Sequence, residues 1–231
     1  GTGRVLANTS GRAAWTILPT RDAAPDRPRV YFVVGALAYS QDDTEVRIPL
    51  APTPITVHPS PSLFLQYFHQ RDVLADDPFT DAIEPSVPYS LAVMVRNQGA
   101  GEARNFRITS AEPKIVENEK GLLIHFEILA TEVAGRSLTP SLTADFGNIP
   151  PGSLAIGRWL FRSSLQGLFI DYAARFEHVD GLGEPRLSLI DDVEIHELIR
   201  IVHARGPNDD DLPDMLVNDF PDDLDLPDTL Y

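Results

Sequence analysis

The chain has 231 residues, a hydrophobic fraction of 43%, a formal net charge of −15 and no cysteine. This length and composition indicate a globular protein with one large or two ordinary domains, and the missing cysteines exclude disulfides, thiolate metal sites and cysteine nucleophiles. The acidic balance without a basic cluster argues against nucleic acid as a partner. No apolar run approaches the roughly 18 residues of a membrane span.

Short apolar runs separated by 20 prolines and 15 glycines predict an all-β chain with many turns. The N-terminal stretch lacks the basic and apolar segments of a signal peptide, which predicts a fragment or a processed chain. The first predicted strands are rich in β-branched and aromatic residues and lie at 13–20, 29–40, 44–50 and 55–58. Four prolines between 51 and 63 then predict a domain boundary near Pro59, so that residues 1–58 form a partial Ig-like β domain.

Longer strands with a period of two follow in residues 59–205, and they predict an Ig-like β-sandwich. They lie at 62–73, 89–101, 102–117, 122–133, 141–164 and 168–179. In 89–101, for example, Leu91, Val93 and Val95 alternate with residues of the opposite face. The predicted core residues are Leu91, Val93, Val95, Leu122, Ile124, Phe126, Trp159, Tyr172, Phe176 and Ile195.

The segment 188–204 fits both a strand and one face of a helix, and its density of Ile and Val favours a long final strand. Its His196-Glu197 pair begins a zinc-protease motif, but that motif needs a second histidine four residues on, and this position is Arg200. His203 is seven residues away and would face the other side of a strand. His196 is therefore predicted to be a half-exposed strand histidine and not a ligand.

Other chemical motifs are weak. There is no G-x-S-x-G nucleophile turn and no lysine-containing phosphate loop, and the six histidines are scattered over different predicted strands. We therefore expect no catalytic residues and no cofactor, with calcium as the one exception to consider. Asn8 in "NTS" is the only glycosylation acceptor sequence.

The C-terminal segment, residues 206–231, contains nine aspartates and no Lys, Arg or Glu, and it repeats "DLPD" phrases at an offset of 14 residues. It fits a flexible acidic linker to a further module, an extended strand that docks on an open sheet edge, or a calcium loop. The calcium candidates are Asp209, Asp210, Asp211 and Asp214, although the glycine and the bidentate glutamate of an EF-hand are missing. The assembly candidates are its apolar anchors: Leu212, Met215, Leu216, Val217, Phe220, Leu226, Leu230 and Tyr231.

The stretch "YSLAVMVRNQGAGEARNFRIT" (89–109) places Val95, Asn97, Gly99 and Ala103 in a V-x-N-x-G-x-x-x-A pattern, and "IPPGSLAIGRW" (149–159) supplies a Pro-Gly turn before an outgoing strand. These two motifs resemble the Ig-like cell-adhesion-related (CARDB-type) β-sandwich modules of large bacterial secreted or surface proteins. The resemblance spans about 62–165 and implies an extracellular, multi-module and non-enzymatic context. The second domain is longer than the roughly 100 residues of such modules.

The four or five strands predicted in residues 1–58 are too few for a complete sandwich. Either this domain packs against the second one, or a segment from outside completes it. Our leading hypothesis is a structural subunit of an extracellular filament or surface assembly that polymerises head to tail, with other copies or neighbouring modules as partners. The alternative is an adhesin module that binds a carbohydrate or a protein. An enzyme is the third and weakest hypothesis.

Overall fold

The computed structural model describes residues 5–6, 8–41, 43–109, 123–168, 188–207, 209–218 and 228–231. Within these ranges the only helical element is a single 3-10 turn, Arg21–Ala23, and the predicted all-β class is confirmed. The strands are β1 (Arg29–Val33), β2 (Ala36–Gln41), β3 (Thr44–Pro49), β4 (Thr53–Val57), β5 (Leu63–His69), β6 (Asp72–Val73), β7 (Tyr89–Asn97), β8 (Ala103–Ile108), β9 (Phe126–Val133), β10 (Arg136–Leu138), β11 (Ala144–Ile149), β12 (Leu154–Ser163), β13 (Gly167–Leu168), β14 (Ile190–Val202), β15 (Asp214–Asn218) and β16 (Thr229–Leu230).

The main sheet has eight strands in the order β10-β9-β12-β7-β5-β14-β15-β16. Neighbours run antiparallel except β5 and β14, which are parallel. The strand interpretation of 188–204 is confirmed by β14, which pairs with β5 along Ile190–Glu197 and with β15 along Glu197–Val202. The alternation and the branched side chains of this segment suit a strand between two neighbours better than a helix.

A two-stranded layer, β8 paired with β11, covers one face of the main sheet and encloses the principal core. Leu91, Val93 and Val95 of β7 are buried there, as predicted, together with Trp159 of β12, whose indole N–H donates to the carbonyl of Ser141 at 3.0 Å. Three further predicted core residues, Ile124, Phe126 and Ile195, are half-buried. Leu122, Tyr172 and Phe176 lie outside the described residues.

Asn97, at the end of β7, joins three parts of the sandwich. Its buried side chain donates hydrogen bonds to the carbonyls of Gly101 and Ile149 at 2.8 and 2.9 Å, and it accepts from the amides of Ser62 and Gly99 at 3.2 and 3.1 Å. A Cβ atom on Gly101 would lie 2.1 Å from the carbonyl oxygen of Pro59. The N-x-G-x-G sequence is thus needed because the backbone before β5 passes directly over this turn.

The opposite face of the main sheet carries a second apolar cluster. Its buried members come from five strands and are Phe68, Ala92, Met94, Ile156, Leu198, Met215 and Val217. Because both faces of the central strands are covered, β7 is buried at almost every position and not only at alternate ones.

The N-terminal region forms two separate two-stranded ribbons, β1 with β4 and β2 with β3. The predicted strand at 13–20 is wrong, because these residues have no regular secondary structure and high β propensity needs a partner strand to act. The predicted strand at 29–40 is divided into β1 and β2 at Val34-Gly35. The domain boundary near Pro59 stays a prediction.

Candidate assembly surfaces

The two N-terminal ribbons bury almost nothing. Among the described residues before His58, only Ala24 and Val57 are buried. The large apolar side chains of β1 to β3 and their adjoining loops are exposed. We call this set the ribbon surface, and it consists of Val30, Tyr31, Phe32, Val33, Val34, Leu37, Tyr39, Ile48 and Leu50. An isolated two-stranded ribbon is marginally stable in water, so these strands gain most if another surface covers them.

The contact between this region and the sandwich passes through the 3-10 turn. The guanidinium of Arg21 donates to the carboxylate of Asp191 and to the carbonyl of Ser188, both at the start of β14. The same carboxylate accepts a hydrogen bond from the hydroxyl of Ser62, and the Tyr31 hydroxyl donates to the carbonyl of Ala23 at 2.6 Å. These contacts are polar and are confined to a few side chains around the 3-10 turn. They leave the ribbon surface exposed.

The predicted assembly anchors of the C-terminal segment lie against the chain's own main sheet. Met215 and Val217 of β15 are fully buried in the second cluster, where Leu212 also packs. Leu216 is half-buried and pairs with Leu230, which is largely exposed. Phe220 and Leu226 lie outside the described residues.

Tyr231 completes this contact. Its backbone exchanges two hydrogen bonds with Met215, at 2.9 and 3.0 Å, and its ring lies 5.6 Å from the ring of Phe68 and 4.6 Å from that of His196. Ring centroids at such distances attract one another through offset or edge contacts. In the described part of the C-terminal segment, β15 and β16 are therefore the outermost strands of the main sheet.

His196 is more buried than predicted. Only 11% of its side chain is exposed, because the ring stacks on Phe68 at 5.1 Å and lies under Tyr231. Its Nε2 atom is 3.3 Å from a carboxylate oxygen of Glu194 and 3.4 Å from the amide of Gln66. The strand geometry of His196 was foreseen, whereas the cover by the C-terminal segment was not.

The calcium candidates are exposed or half-buried, and their oxygens serve the local backbone. Asp209 accepts the amide of Asp211 at 2.9 Å, Asp210 accepts that of Leu212 at 3.0 Å, and Asp214 accepts that of Ala204 at 2.7 Å. The described residues contain no group of three or more His, Asp or Glu that could hold a metal ion.

Asn8, the glycosylation candidate, is exposed and has a left-handed backbone with a φ of 62°. Such a conformation is well tolerated by asparagine in turns. The side chain is thus open to solvent at a bend in the chain, and its glycosylation stays a prediction.

Sequence reasoning predicted that residues 1–58 have too few strands to form a complete sandwich, but it did not identify the residues of the ribbon surface. A signal was available: "VYFVV" is apolar at five consecutive positions, which is typical of strands covered on both faces. The 58 residues around it supply too few strands to cover both faces.

Comparison with protein-family models, curated proteins and solved structures finds no significant match to this chain. In the described ranges, no helix is both long and apolar enough to cross a membrane. The molecule is an all-β protein, and its main sheet carries an apolar cluster on each face.

Proposed function

We propose that this chain is a structural subunit of an extracellular filament or surface assembly. It polymerises head to tail through contacts of its β regions and through its C-terminal segment. The observation that carries this proposal is the ribbon surface, a set of nine large apolar side chains that all remain exposed on two ribbons without a core. Monomeric proteins rarely expose contiguous apolar patches of more than a few hundred Å².

Exposure of this surface in a monomer is unfavourable in two ways. Apolar area left in water forgoes about 25 cal/mol per Å² of stabilisation. In addition, among the described residues β1 and β4 pair only with each other, as do β2 and β3, so that each ribbon has outer edges that can accept another strand. A neighbouring subunit would cover the side chains and pair these edges at once.

The charge distribution favours unlike ends meeting. Residues 1–58 contain six arginines and five acidic residues, a net charge of +1, whereas residues 206–231 carry −9. Two C-terminal segments therefore repel each other, while an N-terminal region does not repel a C-terminal one. A contact between unlike ends is head to tail, and it generates open filaments when the rotation from one subunit to the next does not close a ring.

The extracellular location is part of the proposal. It is supported by the resemblance of 62–165 to secreted and surface modules and by the exposed acceptor Asn8. Neighbouring modules of a longer protein would serve as partners in the same way as other copies of the chain.

The test compares two phenylalanines with equal exposure. Phe32 on the ribbon surface is 64% exposed and Phe79, in a loop of the sandwich, is 65% exposed. We expect the parent chain to form oligomers or filaments as its concentration rises, measured by light scattering and negative-stain microscopy. Phe32→Ser should raise the concentration needed by tenfold or more, and Phe79→Ser should not. A parent chain that stays monomeric at high concentration, or equal effects of the two substitutions, would contradict the proposal.

The alternative function is a carbohydrate- or protein-binding adhesin module, and one observation favours it. Trp15 is 82% exposed, and Tyr31 and Tyr39 of the N-terminal region are also exposed. Exposed aromatic rings offer large, rigid contact area to a ligand. Binding to a glycan array or to a surface protein that is lost in Trp15→Ala, from a chain that remains monomeric, would favour the adhesin over the filament.

A further inference from the structure

We propose that copies of this chain exchange their C-terminal strands: β15 and Tyr231 leave their own sheet and occupy the same place beside β14 and Phe68 of a neighbour. The inference rests on the proposed function and names the acceptor surface for the C-terminal segment. The partner is a second copy of this chain.

The acceptor is a specific groove. On one side β14 offers its backbone to β15 in a fixed register, with Ile201 opposite Met215 and Leu198 opposite Val217. On the face of the sheet, Phe68 and Leu198 form the floor on which Met215 and Val217 are fully buried. Without a strand beside β14, the side chains of Phe68 and Leu198 would be exposed to water. The groove therefore requires an occupant, and β15 fills it in the structure.

The connection between β14 and β15 allows this occupant to come from another copy. It consists of the eleven residues 203–213, and its described residues are exposed except Ala204, Leu212 and Pro213. Fully extended, such a segment spans roughly 40 Å at about 3.3–3.6 Å per residue. That distance is enough to carry β15 from its own sheet to the sheet of an adjacent subunit.

The charge of this connection favours its extended form. It carries Asp209, Asp210 and Asp211 in succession with Asp214 just beyond, and no cation occurs from residue 206 onward, so its charges repel one another.

The exchanged and the closed forms make identical contacts in the groove, and their free energies therefore differ only in the hinge and in any new interface between copies. A tether keeps the chain's own β15 close to its groove, which favours the closed form in dilute solution. The ribbon surface supplies the new interface, and contacts through it favour the exchanged form at high subunit concentration.

The experiment uses the absence of native cysteine. Arg200 of β14 and Leu216 of β15 are directly opposite each other, and neither is fully buried, so cysteines at the two positions can form a disulfide. Arg200→Cys and Leu216→Cys are made in separate chains, one of them ¹⁵N-labelled. The two chains are mixed at concentrations that give assemblies and are then oxidised.

We expect disulfides between the labelled and the unlabelled chain, identified by mass spectrometry of the linked peptides. The matched control is Arg107→Cys mixed with Asp145→Cys, an exposed opposite pair of β8 and β11. It should give no specific cross-link, because those strands are not exchanged. In a single chain carrying both Arg200→Cys and Leu216→Cys, oxidation in dilute solution should lock β15 in place and abolish assembly, and reduction should restore it.

The outcomes separate this inference from the proposed function. Filaments that form without a cross-link between chains, or that form from the locked chain, overturn strand exchange and leave the filament intact. Cross-linked closed dimers without longer species support exchange and count against the filament. Single-cysteine chains that stay monomeric at every concentration and give no cross-link between chains overturn both.

Discussion

Strands of similar apolar composition differ in burial between the N-terminal ribbons and the sandwich. β1, "RVYFV", is exposed at all five positions, whereas β7, "YSLAVMVRN", is buried at all but two. The difference lies in the neighbours, since β7 has a strand on each side and an apolar layer on each face, whereas β1 has one partner strand among the described residues. Strand propensity favours the extended conformation in both regions. Which side chains of a strand are buried depends on the strands and layers that pack against it.

The sharpest test of this comparison is the same substitution in both regions. Phe161 of β12 is completely buried and Phe32 of β1 is 64% exposed. Phe161→Ala should lower the free energy of unfolding by about 3–5 kcal/mol, because it removes buried contacts and leaves a cavity. Phe32→Ala should change it by no more than about 0.5 kcal/mol.

The two tryptophans allow each region to be followed by fluorescence in urea titrations. Trp159 lies in the principal core and Trp15 in the N-terminal region, so a Trp15→Phe background reports the sandwich alone. The measurement belongs at concentrations at which the chain is monomeric. A loss for Phe32→Ala as large as for Phe161→Ala would show that the ribbons have a core of their own.

Removal of the Asn97 side chain should have the next largest effect. Asn97→Ala leaves two carbonyls and two amides of the turn without their hydrogen-bond partner. Each buried group that loses its hydrogen bond lowers the free energy of unfolding by about 1–3 kcal/mol where water cannot replace the bond. With partial relief by solvent, we expect a loss of about 2–4 kcal/mol in the same titration.

Asn148→Ala is the matched control, since this exposed asparagine accepts one amide bond, from Asn105 at 3.1 Å. It should cost less than about 1 kcal/mol. Equal losses for the two variants would mean that Asn97 does not hold the strands together.

Gly101→Ala probes the junction between the regions. The added methyl group would overlap the carbonyl of Pro59, and the backbone before β5 must shift to accommodate it. Overpacking of this kind typically costs about 1–3 kcal/mol. Gly206→Ala meets open space and should be neutral or slightly stabilising, so a similar loss at both glycines would exclude the overlap as the cause.

Sequence reasoning predicted one face of β7 correctly, because alternation is typical of a sheet with one covered face and Leu91, Val93 and Val95 are buried as expected. It did not predict that Ala92 and Met94 of the opposite face are buried as well. It was less successful where burial depends on distant segments. His196 is covered by Tyr231, which lies 35 positions further along the chain, and no local pattern at either residue encodes that contact. Sequence reasoning predicted an incomplete N-terminal domain but did not identify the residues of the ribbon surface, because the exposure of "VYFVV" depends on layers that the local sequence does not contain.

The last prediction uses a buried histidine of the sandwich. Burial lowers the pKa of His69 from 6.5 to about 4, and the hydrogen bond between its Nδ1 atom and the carbonyl of Gln70, at 2.5 Å, opposes this only in part. Between these two pKa values the unfolded chain binds more protons than the folded chain, so the stability is complete above pH 6.5 and is lost as the pH falls toward 4. We expect a loss of about 1 kcal/mol between pH 7.5 and 5.5. His69→Gln should abolish this dependence, while His58→Gln, at an exposed histidine, should keep it. A pH dependence that survives His69→Gln would assign it to groups other than His69.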